Sequence, residues 1–285
     1  MREIKFGSHY CRLFNKDDNE LLKLAKKLGM DEEDIEDLLE EQRPNMLNFN
    51  DYSIITLLFP NMKTIKNGEF MIQVTLILTK KGVNMIVNED NKITNKAFDD
   101  LNKIKFEGIT SLVSHLIDSI REESIEILDK VEIYLNKKER EIIHGKRDKK
   151  LLIKMHDLRE TFYFISKGVI GNVEVIRELL TKKTKFINPT YFSEHQEDRA
   201  LYFIDLIDYL RESVRTNIET YVSLMSHRLN EQMYKITILG SILLIPTILS
   251  SFFGMNVELP AIGFWSIIGV SVLLSTIIYL FLRNH

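Results

Sequence analysis

From Ile236 to Leu282 the chain carries one charged side chain, Glu258. That acid divides the run into two apolar segments, 236–257 and 259–282. A hydrocarbon core about 30 Å thick is crossed by roughly 20 residues of α-helix rising ~1.5 Å each, and both segments are long enough. A helix buried in a soluble core rarely runs so far without a charge, so the pattern predicts a two-helix hairpin in a bilayer. Arg228 and Lys235 precede the first segment, and Arg283 follows the second. Basic flanks favour the cytosolic side, which puts both ends of the hairpin in the cytosol and the link around Glu258 outside. Phe264 and Trp265 stand near the outer end of the second segment, where aromatic rings favour the interface.

The remainder of the chain is ordinary in composition and rich in charge. Lys and Arg total 38 against 41 Asp and Glu, a net charge of −3, which argues against nucleic acid as a partner. The lone Cys11 has no second thiol with which to form an internal disulfide. The opening residues MREIKFGSHYCRLFNKDDNE lack the apolar core of a secretory signal, so the front of the chain is expected in the cytosol. Residues 17–28 and 31–42 read as short helices with acids near their starts. Segments 53–59, 70–79 and 83–88 are rich in β-branched and apolar residues, with turns at Asn67-Gly68 and Lys81-Gly82. Residues 1–108 therefore form an expected cytosolic α/β domain.

The period then becomes helical. Leu112, Leu116, Ile120, Ile127, Val131 and Leu135 mark one long helix within 110–143, and 148–184 holds another, so 109–188 is expected to be a cytosolic helical region. Asn188-Pro189-Thr190 interrupts the pattern. A very long helix follows, expected to run from 189 to 257 as a stalk that continues into the first membrane segment, leaving 258–285 for the outer loop, the second membrane helix and a short tail. Phe203, Ile207, Leu210, Val214, Ile218, Tyr221 and Met225 form its stripe. That stripe fits a helix packed on its own domain as well as it fits a stalk; continuity with the apolar run favours the stalk.

Two helices enclose no interior, so conduction by such a hairpin requires several copies in a ring. Continuing the stalk pattern by threes and fours gives the row Asn230, Met233, Thr237, Gly240, Leu244, Thr247, Ser251, Gly254. Small and hydroxyl residues of this kind line a narrow pore or pack helix against helix. Pro246 lacks an N–H and frees the carbonyl of Ile242. The row holds no carboxylate. A small divalent cation sheds water reluctantly, so amide and carbonyl oxygens suit a hydrated ion better than a stripped one. Asn256, at the outer end of the segment, offers one such amide oxygen per chain.

Residues 221–256, YVSLMSHRLNEQMYKITILGSILLIPTILSSFFGMN, resemble the signature of the CorA family of magnesium and divalent metal-ion channels. The resemblance rests on an Asn-x-x-Met step, Pro-Thr, and an aromatic residue before Gly-Met-Asn at the end of the first of two C-terminal membrane segments. It is closest over 190–285, while the order of mixed domain, stalk and hairpin agrees over the whole chain. It implies a funnel-shaped homopentamer in the plasma membrane, multi-pass, with both termini cytosolic. It implies that Gly254, Met255 and Asn256 form the selectivity filter, with Asn256 meeting hydrated Mg²⁺. Thr247 would be a polar pore position below it, and Leu244, Ile236 and Met233 an apolar gate with Asn230 at its cytosolic end. Glu258 would concentrate cations at the outer mouth. Cytosolic Mg²⁺ would close the ring through acids between neighbouring cytosolic domains; the stalk offers Glu194, Asp198, Asp205, Asp208, Glu212 and Glu219. The chain departs from its relatives in carrying His195 where they have a regulatory acid, so Glu194, His195 and Asp198 are the nearest candidates for that metal. The outer link VELPAIG and the tail Arg283-Asn284-His285 also differ from the common forms.

The absence of a Gly-x-x-x-x-Gly-Lys-Ser/Thr stretch argues for passive flow. Transport of Co²⁺, Ni²⁺ or Zn²⁺ is the first alternative. Zinc-moving relatives tend to carry Gly-Ile-Asn, whereas Met255 stands here, and the seven histidines show no paired ligand spacing. A membrane-anchored coiled-coil scaffold that conducts nothing is the second. An enzyme is the least supported, because no nucleophile or cofactor loop accompanies pairs such as His156-Asp157.

Overall fold

The structure is a computed structural model and describes residues 1–30, 43–61, 71–88, 91–144, 149–181, 185–189, 192, 194–254 and 263–284. The described chain falls into two compact units, Met1–Ile218 and Glu219–His285.

In the first unit six strands form one sheet in the order β1-β2-β6-β5-β4-β3. The strands are β1 Arg2–Phe6, β2 His9–Asn15, β3 Asn45–Asn48, β4 Tyr52–Pro60, β5 Met71–Thr79 and β6 Gly82–Val87. All neighbours are antiparallel except β2 and β6, which run parallel with Tyr10 opposite Gly82. Gly82 starts that pairing because a Cβ there would collide with the Tyr10 carbonyl. The segments expected at 53–59, 70–79 and 83–88 are β4, β5 and β6. The structure adds β1, β2 and β3, which patterning alone does not single out.

The sheet is covered on both faces, as its near-continuous apolar strands require. Ile55, Leu57 and Phe59 of β4 alternate with Tyr52 and Ile54, which face the other way. One face packs under helix α1 (Asn19–Leu28) through Leu21 and Ala25. That helix ends at Gly29, whose φ of 76° lets its N–H reach back to the Ala25 and Lys26 carbonyls. The expected helix at 31–42 and the Asn67-Gly68 turn lie outside the described residues. The opposite face packs against α2 (Lys92–Asp100), α3 (Ile109–Ile143), α4 (Lys149–Thr181) and the first turns of α5 (Glu194–Phe253). Asn91 caps α2 by accepting from the Ile93 N–H at 2.9 Å. Cys11 is fully buried in this core, and burial pushes its thiol pKa up to about 12.

Asn172 of α4 holds the helix layer to the sheet. Strand β3 covers only Ser53–Thr56 of β4, so the edge beyond Thr56 is left open. The Leu58 N–H on that edge donates to Asn172 Oδ1 at 2.9 Å, and Asn172 Nδ2 donates to the Leu58 carbonyl at 2.5 Å. One side-chain amide thus replaces a missing strand. The approach depends on Gly171, where a Cβ would stand 2.8 Å from Pro44 Cγ.

Helix α5 runs 60 residues, about 90 Å at the α-helical rise, beginning in the first unit and ending in the second. Of its stripe, Phe203, Ile207, Leu210 and Val214 are buried within the first unit. Ile218, Tyr221 and Met225 are only half-buried. The buried part of the stripe packs this helix on its own domain. The second unit adds α6 (Phe264–Asn284), whose 21 residues span about 31 Å.

Candidate functional site on the free face of the hairpin

Large apolar side chains on the hairpin point outward: Leu243, Ile248, Phe252, Val272 and Leu273 are 44 to 60% exposed. An apolar exterior of this extent marks a surface made for lipid or for other subunits. Helix α5 is long and apolar enough to cross a membrane by length and composition; the corresponding described stretch of α6 is shorter, Trp265–Leu280. Hydroxyls survive here by bonding to their own helix. Thr237 Oγ1 donates to the Met233 carbonyl, Ser241 Oγ to Thr237 and Thr247 Oγ1 to Leu243, each at 2.9 Å.

Within the hairpin each helix has one covered stripe. On α5 the half-buried positions are Ile238, Ser241, Ile242, Ile245, Pro246, Leu249 and Phe253. On α6 Ser271 is buried and Ile267, Ser275 and Ile278 are half-buried. Both sets recur by threes and fours, and Ser275 Oγ lies 3.4 Å from the Ile242 carbonyl, so these stripes face one another. At 100° per residue the opposite face of α5 carries Met233, Ile236, Thr237, Gly240, Leu244, Thr247, Ser251 and Gly254, with Asn230 further round the helix. Every one of these residues is exposed; Met233, Ile236 and Leu244 are 61, 64 and 58% exposed. The row picked out by spacing is thus brought together on one uncovered face.

That face has a definite chemistry. Hydrated Mg²⁺ presents water O–H groups outward, and its complement is a set of oxygen acceptors. Thr247 uses its proton on the Leu243 carbonyl and keeps an oxygen lone pair for an external donor. The helix closes at Gly254, whose N–H donates to the Ser250 carbonyl at 2.9 Å; a Cβ on Gly254 would stand 3.1 Å from that oxygen. Met255, Asn256 and Glu258 lie outside the described residues.

The family model described as CorA-like Mg2+ transporter protein matches residues 7–284. The chain belongs to the CorA family. A cobalt/magnesium transport protein CorA from Methanocaldococcus jannaschii is 28% identical over 99% of this chain and 93% of its own length. A protein of the same description from Thermotoga maritima is 25% identical over 79% of this chain and 66% of its own. The complete structure of the CorA magnesium transporter from M. jannaschii superposes with a TM-score of 0.81, at 22% identity, covering 100% of this chain and 92% of that one. The fold is therefore that of CorA: an α/β domain, a long helix and a C-terminal helix.

The expected regulatory residues sit at the head of α5 in the first unit. His195 and Asp198 are exposed, and the side chain of Glu194 lies outside the described residues. Among the described residues no three of His, Cys, Asp and Glu are arranged to hold a metal within one chain. Asp208 and Glu212 of the stalk pair with Arg211 and Arg215 on their own helix. Beside His195 the structure reveals a cluster that the patterning missed. The Asp118 carboxylate accepts from Arg121 Nη2 at 2.7 Å, Gln196 Nε2 at 2.7 Å and Arg199 Nη1 at 2.8 Å. Arg121 Nη2 also donates to Gln196 Oε1 at 2.7 Å. Arg121 is 4% exposed; burial pushes its pKa down, and the Asp118 charge opposes that shift. The available signal was a charged pair, Asp118 and Arg121, set among the apolar positions Leu116 and Ile120.

Proposed function

We propose that this CorA protein is a passive Mg²⁺ uptake channel of the plasma membrane, assembled as a homopentamer with its termini in the cytosol. The observation that carries the proposal is the uncovered face of α5, a row of small, hydroxyl and apolar residues that ends at Gly254, next in sequence to Met255 and Asn256. A ring of such faces encloses a pore that no single hairpin can form. Asn256 meets the hydrated ion at the outer mouth, where Glu258 raises the local cation concentration. Thr247 offers a further acceptor below it. Leu244, Ile236 and Met233 form the apolar constriction, with Asn230 at its cytosolic end, and such a collar closes by drying. The segment 189–257 acts as one functional element, stalk and pore together, set in membrane lipid. Inside-negative potential drives the ion: a divalent charge gains about 4.6 kcal/mol per 100 mV. The names of the two relatives bring Co²⁺ in as a second substrate.

Glu194, His195 and Asp198 bind cytosolic Mg²⁺ between neighbouring cytosolic domains, where acids hold the ring closed. Ion flux into liposomes holding a Mg²⁺-sensitive dye tests the pore. Wild type is expected to carry Mg²⁺, and Asn256→Ala to lose at least tenfold in rate or selectivity while still assembling, a loss of about 1.4 kcal/mol. Absence of Mg²⁺, Co²⁺ and Zn²⁺ flux in both proteins would replace the channel by the scaffold reading.

A further inference from the structure

Pro246 leaves the Ile242 carbonyl without its helical partner, and a bare carbonyl in an apolar environment is unfavourable. Thr237, Ser241, Thr247, Ser271 and Thr276 each donate to the carbonyl four residues back on their own helix. Ser275 does not follow them. Its hydroxyl turns across the hairpin to Ile242 O at 3.4 Å, the one carbonyl that the proline frees. Ser275 is half-buried and belongs to the α6 stripe that faces α5.

We propose that Ser275 is a positioning residue of the channel: through the Ile242 carbonyl it fixes how α5 is held at Pro246. Pro246 lies between Leu244 and Thr247, the gate and the polar pore position, so the way α5 is held there sets which way both side chains face. The contact lies on the covered side of α6: Ser271, one turn earlier on the same stripe, is 8% exposed. The second membrane helix thereby contributes to conduction without lining the pore. The transport half of this inference rests on the channel reading above; the contact itself does not.

A double-mutant cycle with Ser275→Ala and Pro246→Ala in the full-length protein separates the two. Alanine at 246 restores an N–H that bonds Ile242 O, which makes the serine redundant. Ser275→Ala is expected to lower the thermal midpoint in detergent by about 2–4 °C and to change Mg²⁺ influx about fivefold, the effect of one hydrogen bond. In the Pro246→Ala background both effects are expected to vanish. Equal effects in the two backgrounds, or none in the wild-type background, overturn the proposal, since mere packing by Ser275 is indifferent to residue 246. The thermal cycle reads the contact even where the wild type conducts nothing, so failure of the channel reading is told apart from failure of this one. Should Pro246→Ala not assemble, the near-isosteric pair Ser275→Thr and Ser275→Val serves. Retention of both properties by Thr and loss by Val supports the bond, and equal behaviour overturns it.

Discussion

At the scale of the residue, the fold depends on side chains that stand in for missing backbone partners. Asn172 completes the open edge of β4 at Leu58, and Ser275 answers the carbonyl freed by Pro246. Neither role is visible in sequence, because 114 residues separate Asn172 from Leu58 and 33 separate Ser275 from Ile242. The need was legible in one case, since Pro246 announces a freed carbonyl wherever it sits in a helix. The partner was not. Asn172→Ala would leave the N–H and C=O of Leu58 buried and unsatisfied. The variant is expected to be destabilised by about 3 kcal/mol, read as a lower midpoint of thermal unfolding in detergent.

At the scale of the element, patterning succeeds where one helix or strand face is uniformly apolar. Strands β4 to β6 and helices α3, α4 and α5 meet that condition. Strands β1 and β2 mix Arg, Lys and Glu with apolar residues, and β3 is Asn-Met-Leu-Asn. These strands form because the rest of the sheet offers them partners, which is a tertiary effect that a local window cannot see. The stripe on α5 was legible as a stripe, but its buried and uncovered parts were not distinguishable by period. The free row from Asn230 to Gly254 was legible, since spacing alone placed it on one face; that this is the face turned from α6 required the contact at Ser275. The Asp118–Arg121–Gln196–Arg199 cluster joins α3 to the head of α5 and is the element-scale counterpart of Asn172. Asp118→Ala strands a buried guanidinium and is expected to cost about 3 kcal/mol of stability. Replacing the buried polar members together, Asp118→Leu with Arg121→Met and Gln196→Leu, is expected to recover most of that loss, because apolar side chains of similar volume leave no buried polar group stranded. Thermal midpoints of the two variants against wild type check both statements.

At the scale of the whole molecule, the two units follow different rules. In Met1–Ile218 the apolar residues are inside, around a sheet covered on both faces. In Glu219–His285 large apolar side chains are outside, and the hydroxyls of Thr237, Ser241, Thr247, Ser271 and Thr276 bond to their own helices. A chain with apolar residues on the outside of one unit presents that unit to lipid or to other protein. Family membership over residues 7–284 agrees with that division of labour. The central claim is that the assembled α5 faces conduct Mg²⁺ down its electrochemical gradient. The most direct measurement is Mg²⁺ influx into liposomes of the purified protein as an inside-negative potential is imposed with a K⁺ gradient and valinomycin. Influx is expected without any nucleotide, accelerating as the interior is made more negative and slowing when Mg²⁺ is supplied on the cytosolic face. Influx that ignores the potential, or none at any potential with the cytosolic face free of Mg²⁺, would contradict it.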